Sequence, residues 1–177
     1  MNEIRLRRIQ RVSRYLKYTA FLVVVAFAVF YCVAFFVPEG AANVVRMVSG
    51  QVDAPALSAG ELAVVFLFGA VPLVLFLVAV FNAGRLFAAF QHGTVLHQRT
   101  GQLLGQIGAF ILFSELAGIL ARAAASSFVS ARAGSPAVSI TLSSTNVAAM
   151  LYAGLIIVIG WVIAEAADMA DDHRQIV

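Results

Sequence analysis

One acid stands deep inside an apolar run: Glu115, within GQLLGQIGAFILFSELAGILA (residues 101–121). An ionised side chain at a membrane-helix centre costs about 2.5–3.5 kcal/mol, and such groups face a bundle interior or water. Three chemistries fit it: a proton site, a cation site, or a structural polar contact. Helical steps of four and three from Gly101 reach Gly105, Gly108, Leu112, Glu115, Ile119 and Arg122. The acid thus shares a stripe with three glycines, and small residues mark close helix contacts in membranes. A transport relay needs a chain of polar partners, and the sequence offers none. A structural contact or a neutral glutamic acid is therefore the favoured reading. A small transport or channel component is the alternative. Tyr31 and Tyr152 lie at similar depth in the first and last apolar runs, and either hydroxyl could satisfy the carboxyl. Pro72 withholds the hydrogen bond that the Phe68 carbonyl would accept, which predicts a helix kink. Transporters use such breaks, and so do ordinary packed bundles.

The remaining candidates are weaker. His92 and His97 are five apart with Gly93 between them. A helical metal pair needs i, i+4 spacing, and no Cys or acid stands near, so no metal site is assigned. No cofactor is implied either. Glu165, Asp168 and Asp172 recur at three and four residues and make an acidic stripe. A carboxylate cation site is conceivable; a solvated face, or a counterpart to the basic N-terminal residues Arg7, Arg11 and Arg14, fits better. Cys32, the one cysteine, can form no internal disulfide and reads as a small buried hydrophobe. There is no P-loop, GxGxxG, HExxH or GxSxG, so the expectation is a protein that is not an enzyme.

The elements that hold these residues follow from composition. Of 177 residues 62% are hydrophobic and only 12% charged, and the mean hydropathy is +0.93. Soluble domains carry about 45–50% apolar and about 25% charged residues. Too few polar side chains exist to clothe a water-facing surface, and the same numbers exclude disorder. The expectation is an all-α, multi-pass membrane protein: a single domain over residues 1–177 with spans at about 18–37, 61–81, 101–121 and 147–166. The first span reads as an anchor, because its apolar run exceeds a leader's and no A-x-A precedes Pro38. Arg5, Arg7, Arg8, Arg11, Arg14 and Lys17 crowd the first 17 residues beside a single acid, Glu3. A pI near 9.5 would suit nucleic acid, but a basic block abutting an apolar run marks a cytoplasmic flank, so no direct nucleic-acid contact is expected. With that end inside, Arg85, Arg99 and Arg174 join it, against Arg46, Arg122 and Arg132 outside. Nine against three predicts both termini in the cytoplasm.

Local patterns complete the outline. Leu6, Ile9, Val12 and Leu16 line one side of an N-terminal amphipathic helix over about 4–17, lying on the membrane surface. Residues 38–60, rich in Gly, Ala, Pro and Ser, read as an irregular linker. Val138, Ile140 and Leu142 alternate with small polar residues, as a short strand or an extended segment would. Leu86, Phe87 and Phe90, broken by Gly93 and restarted at Thr94, predict a helical elbow over 82–100 at the cytoplasmic interface.

At that elbow the chain resembles a known family. Arg85-Leu86-Phe87 … Phe90 … Gly93-Thr94-Val95 … Leu103-Leu104-Gly105-Gln106-Ile107-Gly108 is similar to the bacterial family called domain of unknown function 2975. So are Ser139–Ser144 (SITLSS) and the ending Ala164-Glu165-Ala166 … Asp171-Asp172-His173-Arg174-Gln175-Ile176-Val177. The resemblance spans roughly Glu61 to Val177. The chain departs from the pattern where the family usually has a Phe soon after the glycine and more basic residues before Leu-x-x-Ile-Gly. Val95, Leu96 and a mixed HQRT stand there. The resemblance implies a four-helix protein of the bacterial inner membrane, frequently encoded beside a small helix-turn-helix repressor, a neighbourhood that points to a cytoplasmic regulator as partner. It implies no catalytic residue and no oligomeric state.

Overall fold

The computed structural model describes residues 3–51, 57–91, 98–134 and 137–175, with side chains described between residues 11 and 170. Among the described residues five helices follow in order: α1 Glu3–Phe36, α2 Pro38–Ser49, α3 Ala59–Gln91, α4 Gln98–Arg132 and α5 Ser144–Gln175. No strand occurs among the described residues. The protein is all-α, and Arg11–Phe36, Ala59–Gln91, Gln98–Arg132 and Ser144–Ala170 are long and apolar enough to cross a membrane. At 1.5 Å per residue the four long helices run about 50 Å, so each overshoots a ~30 Å hydrocarbon core. Phe21, Phe30, Phe113, Leu151 and Trp161 are exposed on them, as side chains that meet lipid must be.

Four expectations change. The N-terminal amphipathic segment is not a separate helix; it runs into the first span without a break. No Gly or Pro interrupts the sequence of α1, and extending a helix costs less than starting another. The expected linker 38–60 contains α2. Its signals were conventional: Pro38 in the first turn, Glu39 beside it, and Gly50 past the end at φ 72, donating its N–H to the Arg46 carbonyl at 2.9 Å. Ala41, Val44, Val45 and Ser49 form its buried stripe. Leu86, Phe87 and Phe90 belong to the last turns of α3 instead of an elbow helix, and His92 and His97 lie outside the described residues. Residues 137–143 form neither helix nor strand. Their backbone is met by serines of α4 instead: the Ala137 N–H donates to Ser130 Oγ (3.0 Å), and the Ser139 N–H to Ser126 Oγ (3.3 Å).

The chain divides into two compact units. The first comprises Met1–Val25, Leu77–Leu112 and Ala149–Val177. Leu86, Leu103 and Ile107 are buried together in it, flanked by Ala83, Phe90, Leu104 and Ile111. There α4 and α5 approach closely enough that a Cβ on Gly101 would stand 2.5 Å from the Gly160 carbonyl oxygen. The second comprises Ala26–Phe76 and Phe113–Ala148. In it α2 supplies the centre: Val44 packs with Ala34, Ala41 and Phe66, and Val45 with Val65, Ala125 and Val129.

Candidate functional site

Glu115 sits at the midpoint of α4, 17 residues from either end. In the second unit it lines a cavity of about 300 Å³ with Tyr31, Pro72, Ser114 and Arg122 among the polar and helix-breaking members. Phe27, Phe30 and Met47 share the wall and are themselves 49%, 67% and 80% exposed, so the cavity opens sideways onto the helix flank.

The carboxyl is held by an amide. Asn146 Nδ2 donates to Glu115 Oε2 at 2.7 Å. Asn146 is fixed in turn by the start of α5: it is the third helical residue after Ser143, and the two form a reciprocal cap. Its N–H donates to Ser143 Oγ at 3.2 Å, while Ser143 N–H and Oγ–H both donate to Asn146 Oδ1, at 3.2 and 2.6 Å. This is the capping box with Asn in place of Glu or Gln. One side chain thus closes the α5 N-terminus and meets the single acid of α4, which leaves its rotamer little freedom.

The tyrosines fall elsewhere. Tyr152, an expected donor, is 66% exposed. It follows Asn146 by six residues, about 240° of helical turn, and so lies on another face. The Tyr31 hydroxyl lines the cavity but donates to the Phe66 carbonyl at 2.5 Å, with its ring tilted against that of Phe66 at 5.1 Å. Ser114 Oγ donates to the Pro72 carbonyl at 2.8 Å, and α3 continues through Pro72. Two carbonyls of α3, at Phe66 nearly two turns before the proline and at the proline itself, therefore carry side-chain bonds from α1 and α4. These bonds brace the helix on either side of Phe68, whose carbonyl lacks the donor that Pro72 withholds.

Arg122 is the exception. It lies two turns beyond Glu115, roughly 10 Å along the axis. Its Nε is buried without a hydrogen-bond partner. Arg132, by contrast, pairs with Glu61, whose Oε2 also accepts the Ser58 N–H at 2.8 Å and completes the cap of α3.

The expected interaction face belongs to the first unit. Arg11 and Arg14 are exposed on α1, and Glu165 and Asp168 are exposed on α5. Asp168 accepts a bond from Gln98 Nε2 at 3.2 Å. No ion pair joins these acids to those arginines among the described residues. The side chains of Arg7 and Asp172 lie outside the described set.

Among the described residues, no cluster of three or more His, Cys, Asp or Glu is arranged to hold a metal. Cys32 is exposed, contrary to the buried position expected of it, because it faces outward from α1. Asn146 escapes the hydropathy pattern because the fourth apolar run begins at Val147, three residues inside α5; the Ser143-x-x-Asn146 spacing was the available signal. Gly160 was missed because a lone glycine in an apolar run has no pattern of its own. Comparison of the chain with protein-family models, curated proteins and solved structures finds no match.

Proposed function

We propose that this is a non-enzymatic integral membrane protein of the bacterial inner membrane that works by binding a partner at its cytoplasmic face. The observation that carries the reading is the pair of opposite charge sets in the first unit. Arg11 and Arg14 on one helix, and Glu165 and Asp168 on another, are exposed and not spent on each other. Charge displayed this way steers and orients a partner more than it stabilises the fold, since exposed pairs contribute only about 0–1 kcal/mol. The resemblance to domain of unknown function 2975 suggests a cytoplasmic helix-turn-helix regulator as that partner. A photo-crosslinker at Met169, beside Asp168, should capture a cytosolic protein in living cells. The adduct should fall at least about tenfold when Glu165 and Asp168 are both changed to Lys. Capture no greater than from a crosslinker at Met47, in the other unit, would overturn the reading.

Orientation is part of the same proposal. The nine-to-three division of Lys and Arg supports cytoplasmic termini. Reporter fusions at residue 50, residue 92 and the C-terminus should read outside, inside and inside. An inside signal at residue 50 would reverse the faces.

A second reading, a small transport or channel component, is favoured by one observation: Glu115 and Arg122 share a cavity with Ser114 and the proline-interrupted stretch of α3. It requires Glu115 to act as a charge, whereas the Asn146 contact is one that a neutral acid also makes.

A further inference from the structure

A second concavity, of about 390 Å³, lies in the first unit between α1 and α3. Its wall is apolar and aromatic, from Tyr18 and Phe21 on α1 and Phe81 on α3, and its only charged members are Lys17 and Arg85. No acid lines it. The cavity around Glu115 carries charges of both signs, and the groove beside Gly101 and Trp161 carries none. Of these three, this one alone carries net positive charge among its described residues.

Its position along the helices is equally specific. Lys17 is the last charge before the uncharged run of α1, and Arg85 is the first charge after the uncharged stretch of α3 that begins at Leu62. Both cations therefore mark the level where hydrocarbon gives way to headgroups. Tyr18, Phe21 and Phe81 are largely exposed on the apolar side of that level. Lys17 has no hydrogen-bond or ion-pair partner among the described residues, and Arg85 only a long 3.4 Å contact from Nη1 to Asn82 Oδ1. Gly84 is also part of the lining, and a Cβ there would rest in ordinary contact with the Ala20 Cβ at 3.6 Å.

We infer that this groove binds the headgroup of an anionic phospholipid, with the phosphate between Lys17 and Arg85 and an acyl chain along Tyr18, Phe21 and Phe81. A basic recess between membrane helices recognises acidic lipid by this charge logic. The aromatic wall selects a lipid over a free anion, which gains nothing from apolar surface. An acidic protein segment would equally leave that wall unmatched.

The test uses the full chain, purified and delipidated in detergent, with bound lipid counted by native mass spectrometry. Phosphatidylglycerol should be retained over phosphatidylcholine. Each cation near an anionic headgroup contributes about 1 kcal/mol, so Lys17→Gln or Arg85→Gln should each weaken retention about fivefold and the double variant about thirtyfold. Both side chains are exposed, so these variants keep the fold. Gly84→Leu, which adds bulk to the lining and spares both charges, should also lose the lipid. Arg46→Gln, an exposed charge on α2, should change nothing. A double variant that keeps phosphatidylglycerol like the parent overturns the site. So does release of the lipid by millimolar inorganic phosphate, which would mark a simple anion site.

Discussion

Gly160→Ala should destabilise the protein by about 1–3 kcal/mol, and Gly160→Val by more. A single methyl at residue 160 would meet the Gly105 amide nitrogen at 2.6 Å and the Gly101 carbonyl oxygen at 2.8 Å. Both are backbone atoms within helices and cannot rotate aside as a side chain could. The two helices would have to separate, forfeiting the close contacts that hold membrane helices together where no hydrophobic drive operates between them. Gly105→Ala supplies the contrast, because nothing lies within 4 Å of its added Cβ. That variant should be silent, or gain up to about 1 kcal/mol from helix propensity. Unfolding by SDS titration in mixed micelles would measure all three. If Gly160→Ala and Gly105→Ala behave alike, the helices do not approach as described.

The stripe that pointed to this contact was legible from period alone. Gly101, Gly105 and Gly108 recur at helical spacing, and the structure sets Gly101 and Gly108 against Gly160, Ala164, Ala153 and Ile157. The stripe named one face of α4 without naming the helix opposite. Membrane helices are apolar all round, so periodicity cannot choose their neighbours. The four spans are legible for the converse reason: length and apolarity alone define them, and the helices that carry them run further. Each helix continues past the hydrocarbon-length run because caps and glycines, not hydropathy, terminate helices. The same neglect hid α2, whose proline start and glycine stop were outweighed by its small-residue composition.

At the site, the sequence exposed the acid but not its partner. Glu115 was conspicuous as the one carboxyl deep in an apolar run. Asn146 was not, because an asparagine at a helix start has an ordinary local use as a cap. Its second use, as donor to Glu115, is a tertiary fact that no spacing encodes. Tyr31 shows the reverse. A tyrosine at the right depth looked available, yet α3 passes near enough for its carbonyl at Phe66 to take the hydroxyl.

Asn146→Leu should therefore cost more than any change at Glu115, about 2–4 kcal/mol, because it removes a helix cap and strands a carboxyl in one step. Glu115→Leu should cost about 1–3 kcal/mol, by leaving the Asn146 amide without its acceptor. Glu115→Gln should be nearly silent, since an amide oxygen accepts the same bond from Nδ2. The double variant Glu115→Leu with Asn146→Leu should be less damaging than its parts imply, because neither member of the pair is then left without the other. The shortfall would measure the pair itself, on the order of 0.6–1.7 kcal/mol for polar contacts between membrane helices. The same SDS titrations read these values. If Glu115→Gln destabilises as strongly as Glu115→Leu, charge and not hydrogen bonding is what position 115 supplies. The decisive companion measurement is then ion flux in liposomes containing the purified protein. Flux that depends on Glu115 would move the function from partner binding to transport. Its absence, with a silent Glu115→Gln, would leave the carboxyl as the fixed point that ties the midpoint of α4 to the first turn of α5.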